Sequence, residues 1–484
     1  MKNIAIIIEQ LHGGGAERSA GLLSKYLSRV YNVYIFLKND TDSYNAYGGM
    51  KILISPENGE SNVSCLKRLK VKYHIDCAIS FMENNNILNF MSKTNEAIIF
   101  SYRTTLGRRK IAKVTDYTIR WINQYSDHIV SVSEGCKYDL IKNYELSSDN
   151  ITTIYNYIDK EMVLQNASES VDPSVLKFKG NSKLVLHVGR LGIEKNQERL
   201  LVQFSKLADQ EDVKLLIIGS GSEEDRLKDR ISELKLADKV KMLPFMNNPF
   251  PYFKIANAFI LTSRVEGMPN VLLEAMLLKT PIISVDCMSG PRELIAEDKD
   301  YEKPIKRYAI CKNGILVEDI DTDDTGATTY LCEAMQRALA DSSLRERISN
   351  NAYRFMEEYS NEVILRQWIT VIEETAPGAV NAVDKLIPAL RNKSEVIVYG
   401  AGSYGAEFMR FLLEERNTWD FICFAVTDKS RCVSPVENIP VFELTELYGH
   451  RDKALVVISV RKPYEDEVLQ NVKKHRFEYV WGKI

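Results

Sequence analysis

Short runs rich in Val and Ile alternate along this chain with segments of helical period, and that alternation limits the fold more than any other feature. A strand buried on both faces reads as an unbroken apolar run. Such strands belong to parallel sheets whose crossover helices cover both faces. Ile4–Ile8, Val33–Leu37, Cys77–Phe81, Ala97–Phe100 and Ile129–Val132 form one series. Leu184–Val188, Lys214–Ile218, Val240–Leu243, Ala258–Thr262 and Ile282–Val285 form a second, and Glu395–Tyr399, Ile422–Val426 and Leu455–Val460 a third. The predicted class is α/β, with two large doubly wound Rossmann-like domains and a small third one. A length of 484 residues suits about three domains.

The joints are legible too. Asn156 to about Phe178 reads as a connector, with Pro173 and few periodic signals. Thr375–Gly378 follows an amphipathic helical stretch from about Leu344 to Glu374, and Pro377 disfavours helix at the residue before it.

Composition excludes several classes. With 45% hydrophobic and 27% charged residues, the chain is neither disordered nor fibrous. No run approaches the roughly 20 apolar residues that span a bilayer. Lys2 and Ile4–Ile8 imitate a signal peptide, but Glu9 interrupts the run, so a first buried strand and a cytoplasmic protein are expected. Eight cysteines without a CxxC pair read as buried, reduced thiols, and six histidines argue against a His-based metal site.

The net charge of −3 argues against a nucleic-acid binder. Yet residues 1–160 carry 20 Lys+Arg against 16 Asp+Glu. The excess lies in Lys67, Arg68, Lys70 and Lys72, and in Arg103, Arg108, Arg109, Lys110 and Lys113. These clusters are either a solvated surface or a face that meets an anionic membrane or a polyanionic acceptor.

Three strand-to-helix loops carry chemistry. His12–Gly13–Gly14–Gly15–Ala16–Glu17–Arg18 follows the first strand, where glycines let the backbone bend tightly and a helix start favours an anion. Val188–Gly189–Arg190 and Glu194–Lys195–Asn196 lie at the carboxyl end of a second-domain strand, where doubly wound folds bind ligands and two cations could neutralise a diphosphate. In Ser263–Arg264–Val265–Glu266–Gly267–Met268–Pro269–Asn270–Val271–Leu272–Leu273–Glu274, Pro269 fits a first helical turn. Asn270, Val271 and Leu272 then present N–H groups to a phosphate. Glu266 and Glu274, eight residues apart, can flank one polyhydroxylated ligand.

Together these motifs resemble the retaining glycosyltransferases of glycosyltransferase family 4, of the GT-B fold, over residues 1 to about 375. The family's Glu–x7–Glu pattern matches EGMPNVLLE, its glycine loop GGGAER, and its phosphate-binding cations Arg190 and Lys195. Ile217–Gly221, Asn313–Val317, Ser131–Glu134 and Ile154–Asn156 agree as well. The resemblance implies an acceptor-side domain at 1–165, completed by a helix at about 358–375, a donor domain at 166–357 and an accessory unit at 380–484. It implies a nucleotide-sugar donor, a UDP-sugar above others, with no metal and no cofactor required.

Arg190 and Lys195, with Gly189 in their loop, would hold the diphosphate, and Gly14 and Gly15 would close on it. Glu274 would bind the ribose, Glu266 the transferred sugar, and Gly267 and Met268 would offer backbone groups. The base would lie near Gly219 and Phe245. Where many members carry a first-domain histidine, this chain has Arg103, as in a bacterial surface-polysaccharide subgroup whose Ser/Thr–Gly–Pro–Arg–Glu segment resembles Ser289–Glu293. Arg103 and Arg292 are therefore expected on the acceptor or sugar side. The position before Phe245 is Pro244, where the family often has Gly.

The acceptor would be a growing surface glycan or a lipid-linked saccharide, with peripheral membrane contact. A phosphorylase or sugar-nucleotide hydrolase on the same fold is one alternative, and a nucleotide-sensing regulatory protein another. In the third unit, Gly400, Gly402 and Gly405 follow a strand, and Asp428 comes 23 residues later, the pattern of a nucleotide or NAD site. That unit could instead serve structure or oligomerisation.

Overall fold

The computed structural model describes residues 2–376 except 13, 41–46, 58, 108–112, 288, 320–329, 358 and 360. Beyond these it describes 395–399, 421–426, 439–450, 453–458, 478–480 and the single positions 470, 472, 474 and 475.

The first sheet comprises β1 (Asn3–Ile8), β2 (Asn32–Leu37), β3 (Met50–Leu53), β4 (Cys77–Phe81), β5 (Ala97–Tyr102), β6 (His128–Ser131) and β7 (Ile151–Thr153). Its order is β3-β2-β1-β4-β5-β6-β7, and its pairings are parallel. The second comprises β8 (Lys183–Val188), β9 (Val213–Ile218), β10 (Val240–Leu243), β11 (Ala258–Leu261), β12 (Ile282–Val285), β13 (Tyr308–Ile310) and β14 (Ile315–Val317). Its order is β10-β9-β8-β11-β12-β14-β13, with only β13 antiparallel to its neighbour. Both sheets change direction beside their first strand, β1 or β8. Loops at the carboxyl ends of the strands flanking such a point splay apart and leave a crevice, which is where doubly wound sheets take ligands.

The third sheet, β15 (Glu395–Tyr399), β16 (Phe421–Val426), β17 (Val441–Glu443), β18 (Ala454–Ile458) and β19 (Glu478–Val480), is parallel in the order β17-β16-β15-β18-β19. Ile397, Tyr399, Cys423 and Val456 build its own core. Val398 and Phe424, alternating with these along the strands, join the apolar cluster of the first domain with Ile439.

The connector expected at 156–178 is partly helical, with short helices at Lys160–Asn166 and Pro173–Lys179 capped by Asp159 and Asp172. The expected long helix divides into Ser342–Phe355 and Asn361–Thr375. The latter packs on the first domain. Trp368 stacks on Phe81 at 6.3 Å, Tyr31 donates to Glu373 at 2.7 Å, and Asn361 donates to Tyr26 at 2.9 Å.

Lys70, expected at the surface, is fully buried. Its ammonium lies 2.7 Å from Glu96 and donates to the side chain and carbonyl of Asn89. Arg68 pairs with Glu60 at 2.9 Å. Two of the four cations in that cluster therefore face carboxylates rather than a membrane. Arg108, Arg109 and Lys110 lie outside the described residues.

Removing one partner of a buried pair strands a charge. Glu96→Gln is expected to cost about 3–5 kcal/mol in urea unfolding. The double substitution Lys70→Met with Glu96→Leu should cost far less. Equal losses in the two variants would count against a pair held by mutual compensation.

Candidate active site

Gly14 caps the helix Gly15–Leu27, and the Glu17 carboxylate folds back over it, so a Cβ on Gly14 would lie 2.0 Å from Glu17 Oε2. One turn into the helix, Arg18 crosses to the second domain and pairs with Glu274. Glu274 is 3% exposed. Burial raises its pKa, and the Arg18 guanidinium pulls it back down. Glu274 is the fifth residue of the helix Asn270–Leu277, and the Asn270 side chain donates to the Gly15 carbonyl at 3.4 Å. The starts of two helices, one from each domain, thus face each other. Each presents the positive end of its dipole.

Lys195 comes from the 3₁₀ turn Ile193–Lys195, and its ammonium lies 2.5 Å from Glu266 Oε1. The next residue, Asn196, is left-handed at φ 52°, which reverses the chain into the following helix. Thr262 Oγ1 donates to the Lys195 carbonyl at 2.9 Å, and Arg264 N donates to that of Glu194 at 2.8 Å.

Beneath this loop lies His187. Its Nδ1 is 2.9 Å from the Ile260 carbonyl, which can only accept, so Nδ1 carries the proton and Nε2 accepts from Gln197. Gln197 also donates to the Arg190 carbonyl at 2.8 Å. Burial pushes the His187 pKa down to about 4 from the ordinary 6.5. The unfolded chain therefore takes up this proton first on acidification. Stability from this site is complete above about pH 6.5 and falls towards pH 4. Between pH 7 and 5 the loss is about 2 kcal/mol. Urea midpoints at the two pH values check it: His187→Asn should remove that part of the acid sensitivity, and an unchanged difference would refute the assignment.

The loop after β11 is clamped by the first domain. Gly267 makes an antiparallel bridge with Thr104, and Thr105 N and Oγ1 approach the Glu266 carbonyl at 3.4 and 3.5 Å. Asn156 donates to the Met268 carbonyl at 2.7 Å, and Gly290 N donates to that of Gly267 at 2.8 Å. Further along the second sheet, Gly189 and Gly219 meet backbone to backbone: a Cβ on Gly219 would lie 1.9 Å from the Gly189 carbonyl. Phe245, 41% exposed, sets its ring edge-on to His12 across the cleft, with 6.0 Å between centroids.

Glu266, Lys195, Gly267, Met268, Asn270, Glu274, Gly14 and Gly15 therefore converge. Several expected groups do not fit their expected roles. The Leu272 N–H donates to the Pro269 carbonyl at 3.0 Å, because Pro269 caps the helix and closes a turn there; it is not presented to a ligand. Arg190, with 68% of its side chain exposed, pairs with Glu194 instead of joining Lys195, although its charge is felt by Glu17. Arg292 is fully enclosed by Asp286 and by the carbonyls of Asp300 and Lys303, so it ties down a loop and has no face for an acceptor. Gly400, Gly402, Gly405 and Asp428 lie outside the described residues.

Arg103 is half-buried. It donates to Asn156 and to Ser101 and lies 5.4 Å from the Phe81 ring centroid, and burial lowers its pKa to about 10, so it stays cationic at neutral pH.

Three residues that the sequence reading gave no role are central. Arg18 and Asn156 are two. The third is Glu293, whose carboxylate accepts from Glu134 N at 3.0 Å and Gly135 N at 2.9 Å and so joins the second domain to the start of the helix Glu134–Tyr144. All three stand in the quoted motifs, but only tertiary contacts show what they hold.

Two facing Rossmann-like domains with this cleft define the GT-B architecture, and the sequence matches make the chain a glycosyltransferase. Residues 13–162 match the family described as Glycosyltransferase Family 4, and residues 169–355 match Glycosyl transferases group 1. The chain is 29% identical over 371 residues to the N-acetylgalactosamine-N,N'-diacetylbacillosaminyl-diphospho-undecaprenol 4-alpha-N-acetylgalactosaminyltransferase of Campylobacter jejuni, covering 73% of this chain and 94% of that one. It is 25% identical to the amylovoran biosynthesis glycosyltransferase of Erwinia amylovora, covering 77% and 100%. Anabaena HepE, solved with UDP-glucose, shares the fold at a TM-score of 0.63 and 16% identity, covering 77% of this chain and all of that one. Among the described residues no helix is long and apolar enough to cross a membrane.

Proposed function

We propose that this glycosyltransferase moves a sugar from a UDP-sugar, with retention of configuration, to a growing cell-surface glycan or lipid-linked saccharide at the inner face of the membrane. The observation that carries the reading is the convergence of two ion pairs on one helix start: the Lys195–Glu266 pair within the second domain and the Arg18–Glu274 pair across the cleft flank Asn270. In this reading Lys195 and the backbone amides of Asn270 and Val271 stabilise the departing diphosphate, Glu274 takes the ribose hydroxyls, Glu266 orients the sugar, and Phe245 with Gly219 borders the base. The glycosidic bond to the phosphate oxygen breaks while the acceptor oxygen bonds to the same carbon from the same face, its proton passing to a phosphate oxygen of the donor. Preorganised charge at the leaving group is the largest lever such a site has, and it operates without a metal ion.

The solved complexes of HepE with UDP and UDP-glucose support the nucleotide choice, and the named reaction of the Campylobacter enzyme supports a lipid-linked acceptor. The test is a panel of nucleotide sugars with product detection by mass and anomeric configuration by NMR. Turnover confined to UDP-sugars, with retained configuration, is expected; inversion, or sugar phosphate released only with inorganic phosphate present, would overturn the reading.

A further inference from the structure

Asn156 belongs to neither catalytic loop, yet it is buried where three elements meet. Its Oδ1 accepts from Ser19 Oγ, on the first-domain helix, at 3.0 Å and from the Arg103 guanidinium. Its Nδ2 donates to the Met268 carbonyl of the second domain at 2.7 Å. A carboxamide is the side chain that can accept on one side and donate on the other, and here both ends are engaged. The backbones at Arg103–Thr104 and at Gly267 run side by side as well. Thr104 bridges Gly267, and the Arg103 carbonyl would lie 2.1 Å from a Cβ on Gly267. The first domain's half-buried cation and the second domain's donor loop are therefore registered against each other by the Thr104–Gly267 bridge, the Thr105 contacts to the Glu266 carbonyl and the Asn156 amide.

We propose that Asn156 is a positioning residue that couples domain closure to the loop Glu266–Met268, so that Arg103 and the donor loop are set together or not at all. The loop's role as a donor site rests on the function proposed above; the coupling itself does not. Asn156 touches neither sugar nor nucleotide in this assignment and acts through the Met268 carbonyl. Misplacing a reacting group by about 1 Å costs on the order of 10²-fold in rate.

Asn156→Asp is the discriminating variant, because it keeps the shape and the acceptor atom, turns the Arg103 contact into an ion pair and sets an acceptor against the Met268 carbonyl in place of the donor. Hydrogen exchange by mass spectrometry on the full chain, without ligand, should show peptides across Ser263–Leu272 exchanging about 10-fold faster, with those of β8 and β9 unchanged. Turnover of UDP-glucose or UDP-N-acetylglucosamine, whichever the unaltered enzyme uses, should fall in kcat about 10²-fold with KM changed little. Asn156→Ser, smaller and still polar, serves as the second variant should the carboxylate impair folding, and it should give the same exchange pattern. Wild-type exchange in 263–272 in a folded variant would overturn the coupling, as would global acceleration across both domains. Unchanged UDP affinity in Glu274→Ala would overturn the donor-site reading and leave the coupling standing.

Discussion

Lys195→Ala is expected to reduce kcat/KM for UDP-sugar turnover by about 10²–10³-fold, the scale seen when one preorganised group facing a developing negative charge is removed. The expectation follows from the place of the ammonium. It is partly buried, lies 2.5 Å from Glu266 and is carried by a turn tied down by Thr262 and by the Arg264 amide. Such a charge would need little reorganisation during departure of the proposed diphosphate. Arg190 provides the internal comparison. Mostly exposed and engaged with Glu194, it is expected to lose about 10-fold or less on change to Ala, since exposed charges act through a high dielectric. Initial rates with saturating and limiting donor separate the two. Equal losses at the two positions would mean that the diphosphate is held elsewhere in the loop.

Gly267→Ala should be nearly as damaging, for a steric reason. Its Cβ would fall 2.1 Å from the Arg103 carbonyl and 2.6 Å from Val132 Cγ1. Neither is the free end of a flexible side chain, and the Gly267 carbonyl is already held by Gly290. The methyl group can be housed only by separating the two domains at the bridge to Thr104. Overpacking of this kind costs about 1–3 kcal/mol, and the shift it forces should lower kcat about 10²-fold. Val132 and the neighbouring Met268 belong to the apolar core that the two domains share, so unfolding should begin at a lower temperature, while the sheets keep their pairing and far-ultraviolet circular dichroism stays unchanged. Wild-type kcat in this variant would show that the bridge is not part of the active arrangement.

The interior of the fold was readable because strands covered on both faces leave continuous apolar runs. β1, β4, β8 and β9 fall within a residue of their expected places. Of the edges only β10 was readable. β3 is exposed at both its ends, and the edge strands β7, β13, β17 and β19, like the interior β14, are three residues each, too short to show a pattern. In the site, glycines and loop carboxylates announced themselves by type and spacing, whereas partnership did not. Lys195 and Arg190 look alike as cations in one loop, and only the turn sends one inward and leaves the other to Glu194. Arg292 carried a motif that suggested a ligand, but Asp286, six residues earlier, encloses it. Lys70 read as a surface charge because Glu96, its counter-charge, is distant in sequence. Arg18 stands inside a motif that was read for its glycines, and its role depends on a carboxylate in the other domain.

In the proposed reaction a nucleoside diphosphate binds between the domains against Lys195 and Glu274. Calorimetric titration of UDP into the intact chain tests it most directly, with Lys195→Ala and Glu274→Ala titrated alongside. Saturable one-to-one binding is expected, weakened at least about 10-fold by each substitution, the loss of roughly one charge-assisted hydrogen bond. Binding of equal affinity in all three proteins would contradict it.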